Sequence, residues 1–221
     1  LGSDKNRAIA RESVKKSVVL LKNNNILPVK KNTQNILVAG EHADNIGYQC
    51  GGWSIWWQGG SGKITKGTSI LDGIKSHTGK NINLNYSKSG DVDKNTDLII
   101  VAIGEKPYAE MNGDRESLEL SEDDIELVNK LSKSGKPIVM ILISGRPMIL
   151  EPILDKCDAI LAAWLPGSEG AGISDILFGD YSPTAKLSFT WPKNMKQIPI
   201  NFGDTNYDPL YRFGHGLTFK D

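Results

Sequence analysis

Asp97-Leu98-Ile99-Ile100-Val101-Ala102-Ile103 is the stretch on which the fold turns. Six consecutive apolar residues, rich in β-branched types and unbroken by charge, read as a strand buried on both faces of a parallel sheet. The loop that follows is Gly104-Glu105-Lys106-Pro107-Tyr108-Ala109-Glu110-Met111-Asn112-Gly113-Asp114. It leaves the sheet at a carboxyl edge, where the connecting loops of open α/β sheets converge on ligands. Gly104, Pro107 and Gly113 forbid a simple helix start, so the backbone is expected to project and to present Tyr108 and Glu110 outward. A projecting carboxylate beside an aromatic ring suits acid/base chemistry. Glu105, Asp114, Glu116 and Glu119 compete for that role, a solvated surface Glu is the plain alternative, and local sequence leaves the choice open.

Outward from this strand, helix and strand patterns alternate. Toward the N-terminus, apolar positions Ile9, Val14, Val18 and Leu21 at helical spacing, after Ser3 or Asp4 as a cap, predict an amphipathic leading helix from Asp4 to Leu21. Asn35 to Gly40 reads as the first buried strand. Thr68 is expected to cap a helix through Ile70, Leu71 and Ile74 to His77, followed by a strand from Asn81 to Tyr86. Beyond the central strand, Ser121 with Asp124 resembles a capping box opening a helix through Ile125, Val128 and Leu131. Ile138–Ile143 and Asp158–Leu165 read as strands, separated by a helix of Ile149, Leu150, Ile153 and Leu154. Pro166-Gly167-Ser168-Glu169-Gly170 turns into a final helix ending near Phe178-Gly179-Asp180. Lys186 to Trp191 is a last strand, and the rest wraps the body. The fold class is therefore α/β, a mostly parallel sheet sandwiched by helices, without a repeat of solenoid period.

One segment departs from this alternation. Between Gly40 and Gly67, Gly47, Gly51, Gly52, Gly59, Gly60 and Gly62 surround Tyr48, Trp53, Trp56 and Trp57. So long a glycine-rich loop is uncommon in a compact domain unless it is functional or disordered, and tryptophans argue against disorder. Trp53 and Trp57 are four apart and share a side, with Trp56 pointing elsewhere. Flat rings carrying an N–H donor suit the apolar face of a sugar; plugs for a core or an interface are the competing reading.

Composition narrows the function classes. The 221 residues suffice for one well-cored domain but not for a barrel and a second domain. With 26 basic and 26 acidic residues scattered without blocks, nothing suggests a nucleic-acid or anionic-membrane surface. No apolar run approaches the roughly 20 residues of a membrane helix. Cys50 and Cys157, with His42, His77 and His215, form no metal-ligand spacing. Gly62-Lys63 is followed by Ile64 and lacks the first Walker glycine, so there is no P-loop. Gly40-Glu41-His42 lacks the dinucleotide glycines, and no serine sits in a G-x-S-x-G elbow. No cofactor is called for.

Several long strings occur in one order: 42–53 (His-Ala-Asp-Asn-Ile-Gly-Tyr-Gln-Cys-Gly-Gly-Trp), Trp57-Gln58-Gly59, 104–110, Ile143-Ser144-Gly145-Arg146-Pro147, 164–170 (Trp-Leu-Pro-Gly-Ser-Glu-Gly) and 208–217 (Asp-Pro-Leu-Tyr-Arg-Phe-Gly-His-Gly-Leu). Together they resemble the C-terminal domain of glycoside hydrolase family 3, in the branch of β-glucosidases and β-D-glucan exohydrolases. The resemblance implies an α/β sandwich packed after an N-terminal (β/α)8 barrel absent from these residues. It also implies that the glycosidic bond is cleaved between the two. It further implies that Glu110 is the acid/base, that Trp57 is one wall of an aromatic clamp on the leaving sugar with Trp53 its neighbour, and that the barrel holds the nucleophilic aspartate. Residues 1–26 then read as the end of a linker plus the leading helix, and 27–221 as the sandwich domain, inactive without its barrel. The implied partners are β-glucosides or β-glucan oligosaccharides and that barrel; a secreted or periplasmic location is implied by resemblance alone. A stand-alone carbohydrate-binding module is the alternative, and a nucleotide domain lacks its phosphate motifs.

Overall fold

The apolar run at Leu98 becomes an interior strand of a six-stranded sheet in the computed structural model, which describes residues 2–80 and 82–221. Along the chain come α1 (Asp4–Ser17), β1 (Val19–Asn23), β2 (Asn35–Ala39), α2 (Ile46–Cys50), α3 (Ile70–Thr78) and β3 (Asn83–Ser87). Then follow β4 (Leu98–Gly104), α4 (Glu122–Ser132), β5 (Ile138–Ile143), β6 (Ala159–Trp164) and α5 (Ala171–Leu177). The sheet order is β1-β6-β5-β4-β2-β3, and only β1 runs antiparallel to its neighbour. From β2 the chain steps outward to β3, and from β4 it steps the other way to β5 and β6, so the winding reverses between β2 and β4. In open α/β sheets that reversal opens a crevice beyond the carboxyl ends of the strands.

Both faces are buried, as the continuous apolar strands require. Val38, Ile100, Ile141 and Leu161 point to one core, closed by Val14 of α1, by Ile70, Leu71 and Ile74 of α3 and by Ile173, Ile176 and Leu177 of α5. Leu37, Ile99, Met140 and Ile160 point to the other, closed by Val128 and Leu131 of α4 and by Leu187 and Trp191 of the tail. Serines start the longer helices: Ser3, Ser69 and Ser121 each accept the backbone N–H three residues on, which satisfies one orphan donor per helix.

Four local expectations are corrected. The leading helix stops at Ser17 rather than Leu21. Val18 and Leu20 face one core while Val19 and Leu21 face the other, the alternation of a strand, which the helical spacing of Val14, Val18 and Leu21 had concealed. The sheet thus already begins inside residues 1–26. The cap of α3 is Ser69, because Thr68 is engaged elsewhere, its hydroxyl accepting from Arg7. No helix forms over 149–154. Ile149 N–H donates to Leu118 O at 2.8 Å and Met148 O accepts from Trp191 Nε1 at 2.8 Å, so this backbone serves tertiary partners; a 3-10 turn follows at Leu154–Lys156. Lys186–Trp191 is a strap and not a strand, since Trp191 bridges only Tyr211 and Leu187 bonds His215 and Gly214 in the tail. Asn81, expected to open β3, lies outside the described residues.

Candidate active site

The loop after β4 starts with a close approach. Gly104 has φ +147°, and a Cβ there would lie 1.9 Å from the carbonyl oxygen of Ile143 on β5, so only glycine fits. Glu105 follows and points inward. Its Oε1 accepts from Arg146 Nε at 2.9 Å and Nη2 at 2.8 Å, its Oε2 from Tyr108 Oη at 3.0 Å and Gly145 N–H at 3.2 Å, and Arg115 stands 3.6 Å away. A carboxylate so fully engaged is a pillar, not a proton donor. Tyr108 therefore corrects the expectation that it projects: its hydroxyl is tied to Glu105 and the Arg146 guanidinium lies 4.6 Å above its ring. Burial, then the neighbouring Glu105 charge, pushes its phenol above the ordinary value.

Glu110 does project. It is exposed, opens a 3-10 turn at Glu110–Gly113 and sits at φ +51°, a left-handed conformation that a side chain enters at a cost. Asp114, Glu116 and Glu119 are exposed as well, so exposure does not single out one of the four, but only Glu110 is held in that backbone state.

The glycine-rich loop is ordered by buried amides. Asn45 caps α2, accepting from Tyr48 N–H at 3.1 Å, and reaches across the loop to Gly62 N–H at 2.7 Å and Ser61 Oγ at 2.9 Å. Gln49, fully buried, accepts from Ile70 N–H at 3.0 Å and donates to Gly167 O at 3.0 Å. On this frame the indoles face outward, with Trp53 68%, Trp56 57% and Trp57 46% exposed; they plug no core of this chain. Trp53 and Trp57 share a side, as their spacing predicts, with ring centroids 6.4 Å apart and Trp53 N–H donating to Trp57 O at 2.8 Å. Gln58, next to Trp57, bonds both backbone groups of Ala109, next to Glu110. The structure thus brings Trp53, Trp57 and Glu110 onto two loops that touch.

Behind the Glu110 loop, at the carboxyl ends of β2 and β4, lies a cleft of about 410 Å³ lined by Glu41, His42, Glu105, Tyr108, Asp124 and Arg146 among others. His42 is buried there, its Nε2 3.1 Å from Glu105 O, and burial holds its imidazole below the ordinary value. Burial likewise raises the Asp124 carboxyl. Neither Glu110 nor any indole lines this cleft, so the three sequence candidates stand on open surface beside it. A larger depression of about 720 Å³ at the amino edge, around Gln34, Lys75 and Asn83, gathers no carboxylate and no aromatic ring. Among the described residues no cluster of His, Cys, Asp and Glu is arranged to hold a metal ion. Sequence reasoning missed Gln58, Arg146 and His42. Their signal lay in polar side chains embedded in the quoted glycine and proline strings, where a loop backbone needs partners.

These features define a class first: α/β sheet domains whose candidate site is carried on carboxyl-edge loops and opens on the domain's own surface. The chain belongs to glycosyl hydrolase family 3, matching that family's C-terminal domain over residues 18–219. The lysosomal beta glucosidase of Dictyostelium discoideum is 35% identical over 99% of this chain and 30% of its own length. The periplasmic beta-glucosidase of Salmonella typhimurium is 29% identical over 96% of the chain and 35% of its own. The crystal structure of the exo-1,3/1,4-beta-glucanase from a Pseudoalteromonas species superposes with a TM-score of 0.93 at 42% identity, covering 100% of this chain and 29% of that one. A beta-glucosidase from Listeria innocua in complex with glucose superposes with a TM-score of 0.81 at 26% identity, over 99% and 34% of the two chains. The chain spans about a third of the length of these proteins.

Proposed function

We propose that this chain supplies the acid/base half of a retaining, exo-acting β-glucosidase or β-glucan exohydrolase, with Glu110 as proton donor and Trp57 and Trp53 as an aromatic wall for the leaving sugar. The observation that carries the reading is Glu110 itself, exposed at φ +51° on the carboxyl edge and locked to the loop of the exposed tryptophans. Retaining hydrolysis needs two carboxylates about 5–5.5 Å apart, one attacking the anomeric carbon and one protonating the departing oxygen. Glu105, the neighbouring candidate, is fully occupied by Arg146, Tyr108 and Gly145. The nucleophile then comes from a (β/α)8 barrel outside residues 1–221, whose docking over Glu110 excludes water and favours the neutral acid that must donate. After glycosyl transfer to the nucleophile, the ionised Glu110 takes the proton of the attacking water. The proposed substrates are β-glucosides and β-glucan oligosaccharides.

A sugar-binding module without catalysis is the second reading, favoured by three exposed indoles on one ordered loop. One experiment separates the two. Hydrolysis of an aryl β-D-glucoside is measured with this chain alone, with the chain joined to a family 3 barrel, and with Glu110→Gln in that assembly. Activity is expected only in the assembly and lost with Glu110→Gln. Unchanged activity of Glu110→Gln refutes the acid/base role; glucan binding by the chain alone, abolished by Trp57→Ala while Glu110→Gln stays active, favours the module.

A further inference from the structure

One side chain meets the peptide groups of Ala109 from both directions. Gln58 Oε1 accepts from Ala109 N–H at 2.9 Å, and Gln58 Nε2 donates to Ala109 O at 3.2 Å. A carboxamide set this way copies the double hydrogen bond that two residues exchange across an antiparallel pair. Ala109 is buried at 3% exposure, so its N–H has little water to fall back on, while its carbonyl also accepts from Asn112 N–H at 3.3 Å. The contact is reinforced beside it, where Gly52 passes so close that a Cβ would lie 2.0 Å from Tyr108 O and 3.2 Å from the Ala109 methyl.

The position of this bond is what gives it consequence. Gln58 is the next residue after Trp57, and Ala109 the residue before Glu110. Ala109 is extended at φ −137°, and the chain reverses at Glu110, φ +51°. The Ala109 peptide is therefore the pivot of that reversal, and a small rotation there swings the Glu110 side chain through a wide arc.

We propose that Gln58 is the positioning residue of this site: its carboxamide, clamped on Ala109, sets where the Glu110 carboxyl stands relative to the Trp57 ring. The inference rests on Glu110 being the acid/base, and it deepens that reading by naming what aims it. The chemistry is demanding, because Ala109 presents a donor and an acceptor together. A carboxamide answers both. A protonated carboxyl group of the same shape also answers both, through C=O and O–H, whereas an ionised carboxylate has only acceptors and repels Ala109 O.

That asymmetry supplies the test. Gln58→Met, Gln58→Glu and Glu110→Gln are prepared in the chain joined to its barrel, and kcat and KM for an aryl β-D-glucoside are followed against pH. Ala109 amide exchange is followed by NMR in the chain as it stands, relative to the intrinsic rate at each pH. Misplacing a catalytic group by about 1 Å costs on the order of 100-fold. Gln58→Met is therefore expected to lose kcat by about that factor at every pH, with KM changed little and Ala109 exchange accelerated. Gln58→Glu is expected to match Gln58→Met at neutral and alkaline pH, then to recover both turnover and Ala109 protection as the introduced carboxyl takes up its proton. A residue that merely fills space gives no such pH-dependent rescue. The proposal is overturned if Ala109 exchange is unchanged in Gln58→Met, or if exchange accelerates while kcat and KM hold. Should Glu110→Gln remain active, the acid/base reading falls and this proposal falls with it; an inactive Glu110→Gln beside an active Gln58→Met refutes the positioning role alone.

Discussion

At Glu110 the backbone is held in a state that side chains avoid, and it is not alone. Of the five non-glycine residues with positive φ among the described residues, Trp53, Ile55, Glu110 and Trp164 lie in the two site loops or at the carboxyl end of β6, leaving only Asn25 elsewhere. Strain of this kind costs on the order of 1–3 kcal/mol per residue and persists where surrounding contacts impose it. Glu110→Gly is accordingly expected to raise stability by about 1 kcal/mol in urea unfolding, while Glu110→Ala, which keeps a Cβ, is expected to change it little; both lose the proposed activity. His42 gives a prediction in pH. Burial lowers its imidazole in the folded state, only partly opposed by the Glu105 carbonyl, Asp124 and Glu41, with Lys106 adding to the lowering. Below its unfolded value of about 6.5 the unfolded chain binds a proton that the folded chain refuses. Stability should therefore fall as pH drops from neutrality through 6.5, until the folded imidazole itself protonates. The His42→Gln variant should lose that slope in urea midpoints between pH 7.5 and 5.

At the scale of elements, α1 is fastened to the site's own scaffold. Arg7 reaches Glu169 Oε1 at 2.7 Å and Thr68 Oγ1 at 2.7 Å, and Arg11 reaches Asp175 at 2.8 Å. Glu169 and Asp175 are buried, the arginines less so. Arg7→Met strands the Glu169 carboxylate and should cost about 1–3 kcal/mol, read as a shift in the urea midpoint. Glu169→Gln should cost less, because an amide still accepts and carries no orphaned charge. The elements also show what sequence makes legible. β4, β5 and β6 were readable because burial on both faces writes an unbroken apolar run, and α4 because Ser121 and Asp124 mark its start. β1 was not, since Val14, Val18 and Leu21 fit a helical stripe as well as they fit alternating faces. Residues 149–154 and 186–191 carry apolar patterns whose backbone is spent on Leu118, Trp191, His215 and Tyr211, partners far away along the chain. The site divides in the same way. Glu110, Trp53 and Trp57 came from motif strings, whereas the inward turn of Glu105 and Tyr108 depends on Arg146, about 40 residues on, a distance no local pattern encodes.

For the molecule as a whole, two cores share one sheet, and they are closed by different means. One is roofed by helices, the other by α4 and the tail, with Trp191 fully buried and its Nε1 bonded to Met148 O at 2.8 Å. Trp191→Ala should cost about 3–5 kcal/mol, measured by chemical denaturation, far more than Trp53→Ala or Trp57→Ala, whose rings stand in solvent. That contrast separates tryptophans that hold the fold from those available to a ligand. The antiparallel pairing of β1 carries a further consequence. Val19 pairs with Ala162 and Leu20 bridges Leu217, so the earliest strand of this domain to be made finds its partners among the domain's latest residues. During synthesis β2, β3, β4 and β5 can assemble in turn, but β1 must wait, its Val and Leu side chains uncovered and attractive to other nascent chains. A domain that joins its first strand to its last segment in this way closes more slowly, and leaves that strand uncovered for longer, than a fold with only neighbouring contacts.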